Sequence, residues 1–333
     1  MDVMKFTQAV SRIWVLETKL LDKPKIERMI EAPSANEVLR ILNETEYSNV
    51  STNIKRAEDY EEILSAELKR IYNLVYEISP IKDVVKLMSL KYDYHNIKVL
   101  LKGKVLGKDL SSMLIQLGNL DLQEIKRKID GENFKSLNGN LGKGVQEAMK
   151  SFEETKDPQK IDIIIEKYMY KELVDIKNSL NYKFIDNLVK AMIDSTNVRT
   201  LLRIKKQNKG RDFAGEVIVN GGAIDSSKLI SLLNESPENI MTKLQSTIYS
   251  DLIKQGFEGY ISTESASLLE KLSDNYIMRL MKDSKLVTFG PEKILSYIYA
   301  KETEIKVIRI IMVGKLNNIA EEVIRERLRD IYE

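Results

Sequence analysis

The sequence predicts an all-α protein built from three related helical units disposed about a pseudo-threefold axis. Apolar residues recur three and four positions apart almost everywhere, and only six prolines and 15 glycines interrupt 333 residues. A second observation supplies the repeat. Asp93-Tyr94-His95-Asn96-Ile97-Lys98-Val99-Leu100 returns as Asp194-Ser195-Thr196-Asn197-Val198-Arg199-Thr200-Leu201, and again as Lys301-Glu302-Thr303-Glu304-Ile305-Lys306-Val307-Ile308. The copies stand roughly one third of the chain apart, far beyond the period of about 20 to 50 residues that marks solenoid repeats. Triplicated domains fit this spacing better than stacked small repeats.

Each copy sits on a long helix. In the first, Leu87, Leu90, Tyr94, Ile97 and Leu101 form a stripe at steps of three and four, predicting a helix over 81–102 with Pro80 near its start. The same offsets give Leu188, Ala191, Ser195, Val198 and Leu202, then Leu295, Ile298, Glu302, Ile305 and Arg309, with Pro291 opening the third helix. The stripe grows more polar from first to third, so the copies are not packed identically. A long helix is predicted before each: 57–78, 158–178 and 263–281. Two long antiparallel helices per unit is the economical arrangement.

Shorter elements echo one another. Residues 112–117 resemble 227–232, and Lys25-Ile26 through Pro33 resembles Lys228-Leu229 through Pro237. Glycine and charge mark breaks at 130–133, 138–140, 206–215 and 220–222. Residues 216–219 have the only strand character and read as an extended connector. The expected organisation is terminal helices at 1–21 and 315–333 packing on units at 22–130, 131–222 and 223–333.

Composition removes several functional classes. Lys and Arg number 52 against 50 Asp and Glu, interleaved, so no strong global field attracts nucleic acid, anionic lipid or acidic substrates. With no cysteine there are no disulfides or thiolate metal sites, and a reducing compartment is the weak expectation. Residues 1–21 do not read as a secretory signal, and the chain is expected to begin at its own first helix. No apolar run reaches the roughly 18 to 20 residues of a membrane span, and 307–313 is interrupted by Arg309, so any membrane role is expected to be peripheral.

No catalytic constellation emerges. Residues 138–144 lack the phosphate-loop pattern, having Leu137 where a glycine is needed and Gly144 where Ser or Thr is needed. Gly221-Gly222 has no following glycine at dinucleotide spacing. The one histidine, His95, lies mid-helix with no nucleophile elbow nearby. Glu302 and Glu304 point to different helix faces, and no Glu-x-x-His pair suggests a bundle metal site.

Asp93 with Asn96, and Asp194 with Asn197, are the unusual positions. Both residue types compete with the helix for hydrogen bonds, so their recurrence three apart asks for a reason. A polar seam where units meet or a partner enters is one; surface polarity inherited through the triplication is the other. Lys98, Arg199 and Lys306 share one further offset and could pair with acidic partner groups, or stand as ordinary exposed cations.

Those three motifs, together with the run from Phe289-Gly290-Pro291 through Tyr297, Tyr299 and Lys301 to Lys306, then Gly314-Lys315 and Glu322 through Leu328, resemble the C subunit of V-type and A-type ATP synthases, related to the d subunit of the vacuolar proton pump. The resemblance covers essentially the full length. It implies a funnel of three helical domains, one copy per complex, on the cytoplasmic face of the membrane rotor ring of proteolipid subunits, receiving the central-stalk subunits D and F. It implies no active site and no cofactor. It also makes the faces bearing Asp93, Asn96, Asp194, Asn197, Lys301 and Glu304 candidates for the funnel lining or domain seams. Lys301 and Glu304 depart from the Asp and Asn of the other copies, so a threefold-identical polar ring is not expected. A helical adaptor for another cytoplasmic complex is the alternative that the triplication alone allows.

Overall fold

The computed structural model describes residues 1–50 and 56–333. Its α-helices run in the order α1 (Thr7–Glu17), α2 (Lys23–Glu31), α3 (Ala35–Leu42), α4 (Tyr60–Ile78), α5 (Lys82–Leu106), α6 (Leu122–Asp130), α7 (Gly139–Thr155) and α8 (Pro158–Leu180). There follow α9 (Lys183–Lys206), α10 (Arg211–Val217), α11 (Ser226–Ser231), α12 (Pro237–Leu244), α13 (Ser250–Thr263), α14 (Ser267–Asp283), α15 (Glu292–Leu316) and α16 (Glu321–Arg327). Among the described residues there is no β-strand.

The long helices stand close to where periodicity puts them, and caps explain most differences. The helix expected at 263–281 begins at Ser267 instead, because α13 ends at Thr263 and Glu264 takes a left-handed conformation (φ 53°) that terminates it. The break expected over 206–215 narrows to 207–210 around left-handed Asn208, and α10 occupies 211–217. Glu216 and Val217 therefore end a helix, leaving only Ile218 and Val219 outside it, with Ile218 extended. At 138–140 the interruption is a helix start, with Gly139 at φ 65°. The C-terminal segment holds the end of α15 and the short α16, and residues 328–333 are not helical.

The chain divides into two compact units, one over Lys86–Leu269 and one over Asp2–Val85 with Glu270–Glu333. In the first, α7 packs on α8, α8 on α9, and α12 on α13. Close approach needs small residues here: a Cβ on Gly144 would meet the Tyr168 ring at 3.0 Å. The α5 stripe is fully realised, with Leu87, Leu90, Tyr94, Ile97 and Leu101 all buried.

In the second unit α15 is the central helix, packed by α1, α3, α4 and α16. It is buried nearly all round, from Ile294 and Leu295 through Ile305 and Ile308 to Met312, as expected of a helix without one wet face. The polar members of its stripe leave the core: Arg309 is exposed and pairs with Glu61, while Glu302 accepts from the Tyr72 hydroxyl at 2.6 Å. Around α15 the core joins α2, α3 and the start of α4 through Ile30, Leu42, Tyr47, Ile63 and Ile308.

Candidate functional site: three loop staples

The recurring polar residues are buried. Asp93, Asn96, Asp194, Asn197, Lys301 and Glu304 are each between 0 and 3% exposed, and all but Lys301 hold a loop of their own unit.

In the first copy Asp93 Oδ2 accepts the Asn119 backbone N–H at 3.0 Å and Oδ1 accepts that of Leu120 at 3.0 Å. One turn on, Asn96 acts as a surrogate strand: its Oδ1 accepts the Ile115 N–H at 2.8 Å while its Nδ2 donates to the Ile115 carbonyl at 2.7 Å. The second copy repeats this. Asp194 accepts from the N–H groups of Ala223 (2.8 Å) and Ile224 (3.1 Å), and Asn197 makes the same double bond to Val219, both arms at 2.8 Å. These residues turn chain that lacks secondary structure into fixed chain by supplying the partners that buried N–H and C=O groups require.

Each stapled loop leads into an aspartate-capped helix. Leu120 is followed by Asp121, which caps α6, and Ile224 by Asp225, which caps α11. The helix equivalent to α11 in the first copy is therefore α6, not residues 112–117, where only a single 3-10 turn forms at Ser111–Met113. The expected echo of 112–117 is corrected accordingly: Asp93 and Asn96 hold the loop that precedes the true counterpart.

The third copy finds its loop at the other end of the chain. Glu304 Oε2 accepts the Leu21 N–H at 2.5 Å, and Leu21 is followed by Asp22, the cap of α2. The Tyr47 hydroxyl donates to Glu304 Oε1 at 2.8 Å, as the Tyr249 hydroxyl donates to Asp194 Oδ2 at 2.8 Å. Residues 21–47 thus serve α15 as residues 224–249 serve α9. The carboxylate has moved from the first position of the motif to the fourth, and its extra methylene restores the reach. Lys301, in the vacated position, gives its ammonium to Glu304 at 2.6 Å and Glu67 at 3.4 Å, and lies 4.6 Å from the centre of the Tyr47 ring. Arg70 closes the network with a double contact to Glu67 at 2.7 and 2.9 Å. Two cations and two carboxylates balance here, with Lys301, Glu67 and Glu304 buried and Arg70 half-exposed at the edge, as removal of the carboxylates from water demands.

Electrostatics follow burial. Loss of water pushes the Asp93 and Asp194 carboxyls above the usual aspartate range, although the backbone donors, and Tyr249 at Asp194, pull back. Burial also raises Tyr47, assisted by the Glu304 charge, so that hydroxyl remains a donor.

The basic trio is half-exposed. Lys98 reaches Glu166 only at 4.0 Å, Arg199 donates to the Ser195 carbonyl at 3.2 Å, and Lys306 pairs with Asp274. His95 contacts the Met113 carbonyl through Nε2 at 3.0 Å, adding to the loop's anchorage. Tyr47, Tyr249, Glu67 and Arg70 escaped sequence reasoning. Thr45-Glu46-Tyr47 against Thr247-Ile248-Tyr249, each following a Ser-capped short helix, is the signal that marks the tyrosines.

Among the described residues no group of three or more His, Cys, Asp or Glu could hold a metal ion, and no helix is long and apolar enough to cross a membrane. Fold and staples together define an internally repeated, all-helical structural subunit whose buried polar chemistry fixes shape. Residues 9–327 match the ATP synthase (C/AC39) subunit family, and the chain belongs to it. It is 29% identical to the C subunit of the V-type sodium ATPase of Enterococcus hirae, covering 95% of this chain and 96% of that one. It is 28% identical to the C subunit of the A-type ATP synthase of Methanocaldococcus jannaschii (98% and 87%), and 23% identical to that of Thermococcus kodakarensis (96% and 89%). The family is that of a non-catalytic subunit of a rotary, ion-transporting complex.

Proposed function

We propose that the chain is the central-rotor coupling subunit of a V-type or A-type rotary ATPase. It joins the shaft, subunits D and F, to the membrane ring of proteolipid subunits and transmits torque between ATP turnover and ion transport. One copy serves each complex, at the cytoplasmic face, with three helical units forming a funnel around the foot of the shaft. The observation that carries this reading is family membership over residues 9–327 together with near full-length cover of relatives that are C subunits of such complexes.

The staples suit the task. A coupling that carries torque has to resist bending at its loops, and the loops beside α5, α9 and α15 are each held by buried hydrogen bonds. Asp93, Asn96, Asp194, Asn197, Lys301 and Glu304 act at the seam between each long helix and its loop. Of the basic trio, Lys98 and Arg199 keep charge at the surface for acidic partner groups, whereas Lys306 is already paired with Asp274 and would have to exchange that partner.

Mixing the purified chain with D and F and measuring mass by size exclusion with light scattering tests the reading. A defined 1:1:1 assembly is expected. Folded partners that remain separate, in the presence of the ring as well as in its absence, would overturn it in favour of an adaptor serving another complex.

A further inference from the structure

The third pair of consecutive long helices differs from the other two in its connection. Three residues join α4 to α5 and two join α8 to α9, but eight, residues 284–291, join α14 to α15. The added length carries apolar side chains outward: Leu286 is 94% exposed and Phe289 37%. A loop that is longer than its two internal counterparts and turns a leucine into water is a feature that packing does not explain.

The tip has company. Trp14 and Val15, on the last turns of α1, are 44% and 61% exposed, and α1 packs on α15. Glu17 binds the two regions together. It pairs with Lys293, two residues past Pro291, at 3.2 Å, and accepts the Tyr332 hydroxyl at 3.0 Å. Lys293 also lies 6.0 Å from the Trp14 ring, and Lys285, beside Leu286, lies 4.7 Å from the Tyr332 ring. Leu286, Phe289, Trp14 and Val15 thus share one end of this unit. Lys282 and Lys285 lead into the loop tip and Arg12 stands two residues before Trp14, against a single exposed acid, Asp283, within these two segments.

From this surface we infer that the 284–291 loop and the end of α1 form a contact site for an anionic lipid bilayer. A projecting leucine needs a partner that supplies its own space. The headgroup boundary of a bilayer does so without a preformed pocket, accepts indole and phenyl rings, and carries phosphates for the lysines. The inference goes beyond shaft coupling and stands on the internal comparison of loops, so it can fail or hold independently of binding to D and F.

Trp14 is the only tryptophan, which makes it a built-in probe. The full chain is floated with phosphatidylcholine vesicles with and without about one third phosphatidylglycerol at low and high salt, and Trp14 emission is read with brominated lipid. Flotation with the anionic vesicles, loss at high salt and quenching of Trp14 are expected. Leu286→Ser with Phe289→Ser should weaken partition roughly tenfold or more. Lys282→Glu with Lys285→Glu should erase the preference for anionic lipid. Both pairs lie at the surface, and unchanged thermal melts control for folding. No flotation at low salt, an unquenched Trp14, or equal flotation of the serine variant would overturn the inference. Serine variants that lose D, F or ring binding, while the wild type ignores vesicles, would overturn it in favour of a protein-docking loop.

Discussion

The Leu21 backbone N–H donates to the Glu304 carboxylate at 2.5 Å, although 283 residues of chain separate the two. This bond closes the third copy of the repeat with the beginning of the chain, which makes the N-terminal segment part of the unit organised by α15. It also explains why the motif changes in the third copy. Lys301 and Glu304 form a buried pair that does with two charges what a single aspartate does elsewhere.

Glu304→Ala should destabilise the chain by about 3–5 kcal/mol, because it strips Leu21 and Tyr47 of their acceptor and leaves Lys301 with half its counter-charge in a buried site. Lys301→Met combined with Glu304→Gln should cost less than the sum of the two single changes. Urea unfolding of the four proteins of that cycle measures the coupling.

Asn197→Ala should cost roughly 2 kcal/mol, since both the N–H and the carbonyl of Val219 lose buried partners. Asn197→Asp should do no better, because it keeps the acceptor but turns a carboxylate oxygen on the Val219 carbonyl. Amide exchange at Val219 should accelerate in both variants while the interior amides of α9 stay protected. The same pattern is expected at Ile115 for changes at Asn96.

Much of the fold is legible in the sequence because helical periodicity is a local signal. The stripe on α5 could be read and is buried as read. The recurrence of Asp93 with Asn96 and of Asp194 with Asn197 was visible too, but its purpose was not. Their partners are backbone groups at 115–120 and 219–224, and backbone atoms leave no mark in a sequence. The third staple was harder still, since its loop lies before the motif and its carboxylate has shifted by one helical turn. Glu67 and Arg70 were invisible for a related reason: only burial distinguishes Glu67 from the many exposed Glu residues of a chain rich in charge, and only its double contact with Glu67 singles out Arg70.

Gly118 and Gly222 occupy equivalent places beside the two aspartates. A Cβ at either would sit well inside contact distance of the carboxylate oxygen of Asp93 or Asp194. Gly118→Ala and Gly222→Ala should each cost on the order of 2–3 kcal/mol. Alanine at Gly210, where a Cβ meets nothing, should leave the melting temperature nearly unchanged.

The pH dependence of the staples has a definite sign. Burial raises the folded-state pKa of Asp93 and Asp194 above the unfolded value, so the folded chain holds these protons more readily than the unfolded one. Their contribution to stability is full below the unfolded pKa and is lost as pH rises through the folded value. Half-exposed Asp22 and exposed Glu44 run the other way. The Lys25 N–H lowers the first and the Arg28 guanidinium the second, so their contributions are lost as pH falls. Carboxyl NMR titration should find Asp93 and Asp194 protonating at higher pH than Asp22.

The proposed coupling role is tested most directly by ion transport in a reconstituted complex with and without this subunit. ATP hydrolysis by the head and shaft should persist without the chain while ATP-driven ion uptake into vesicles disappears, and adding the chain back should restore uptake. Undiminished ATP-driven uptake in its absence would contradict a subunit that joins shaft to ring.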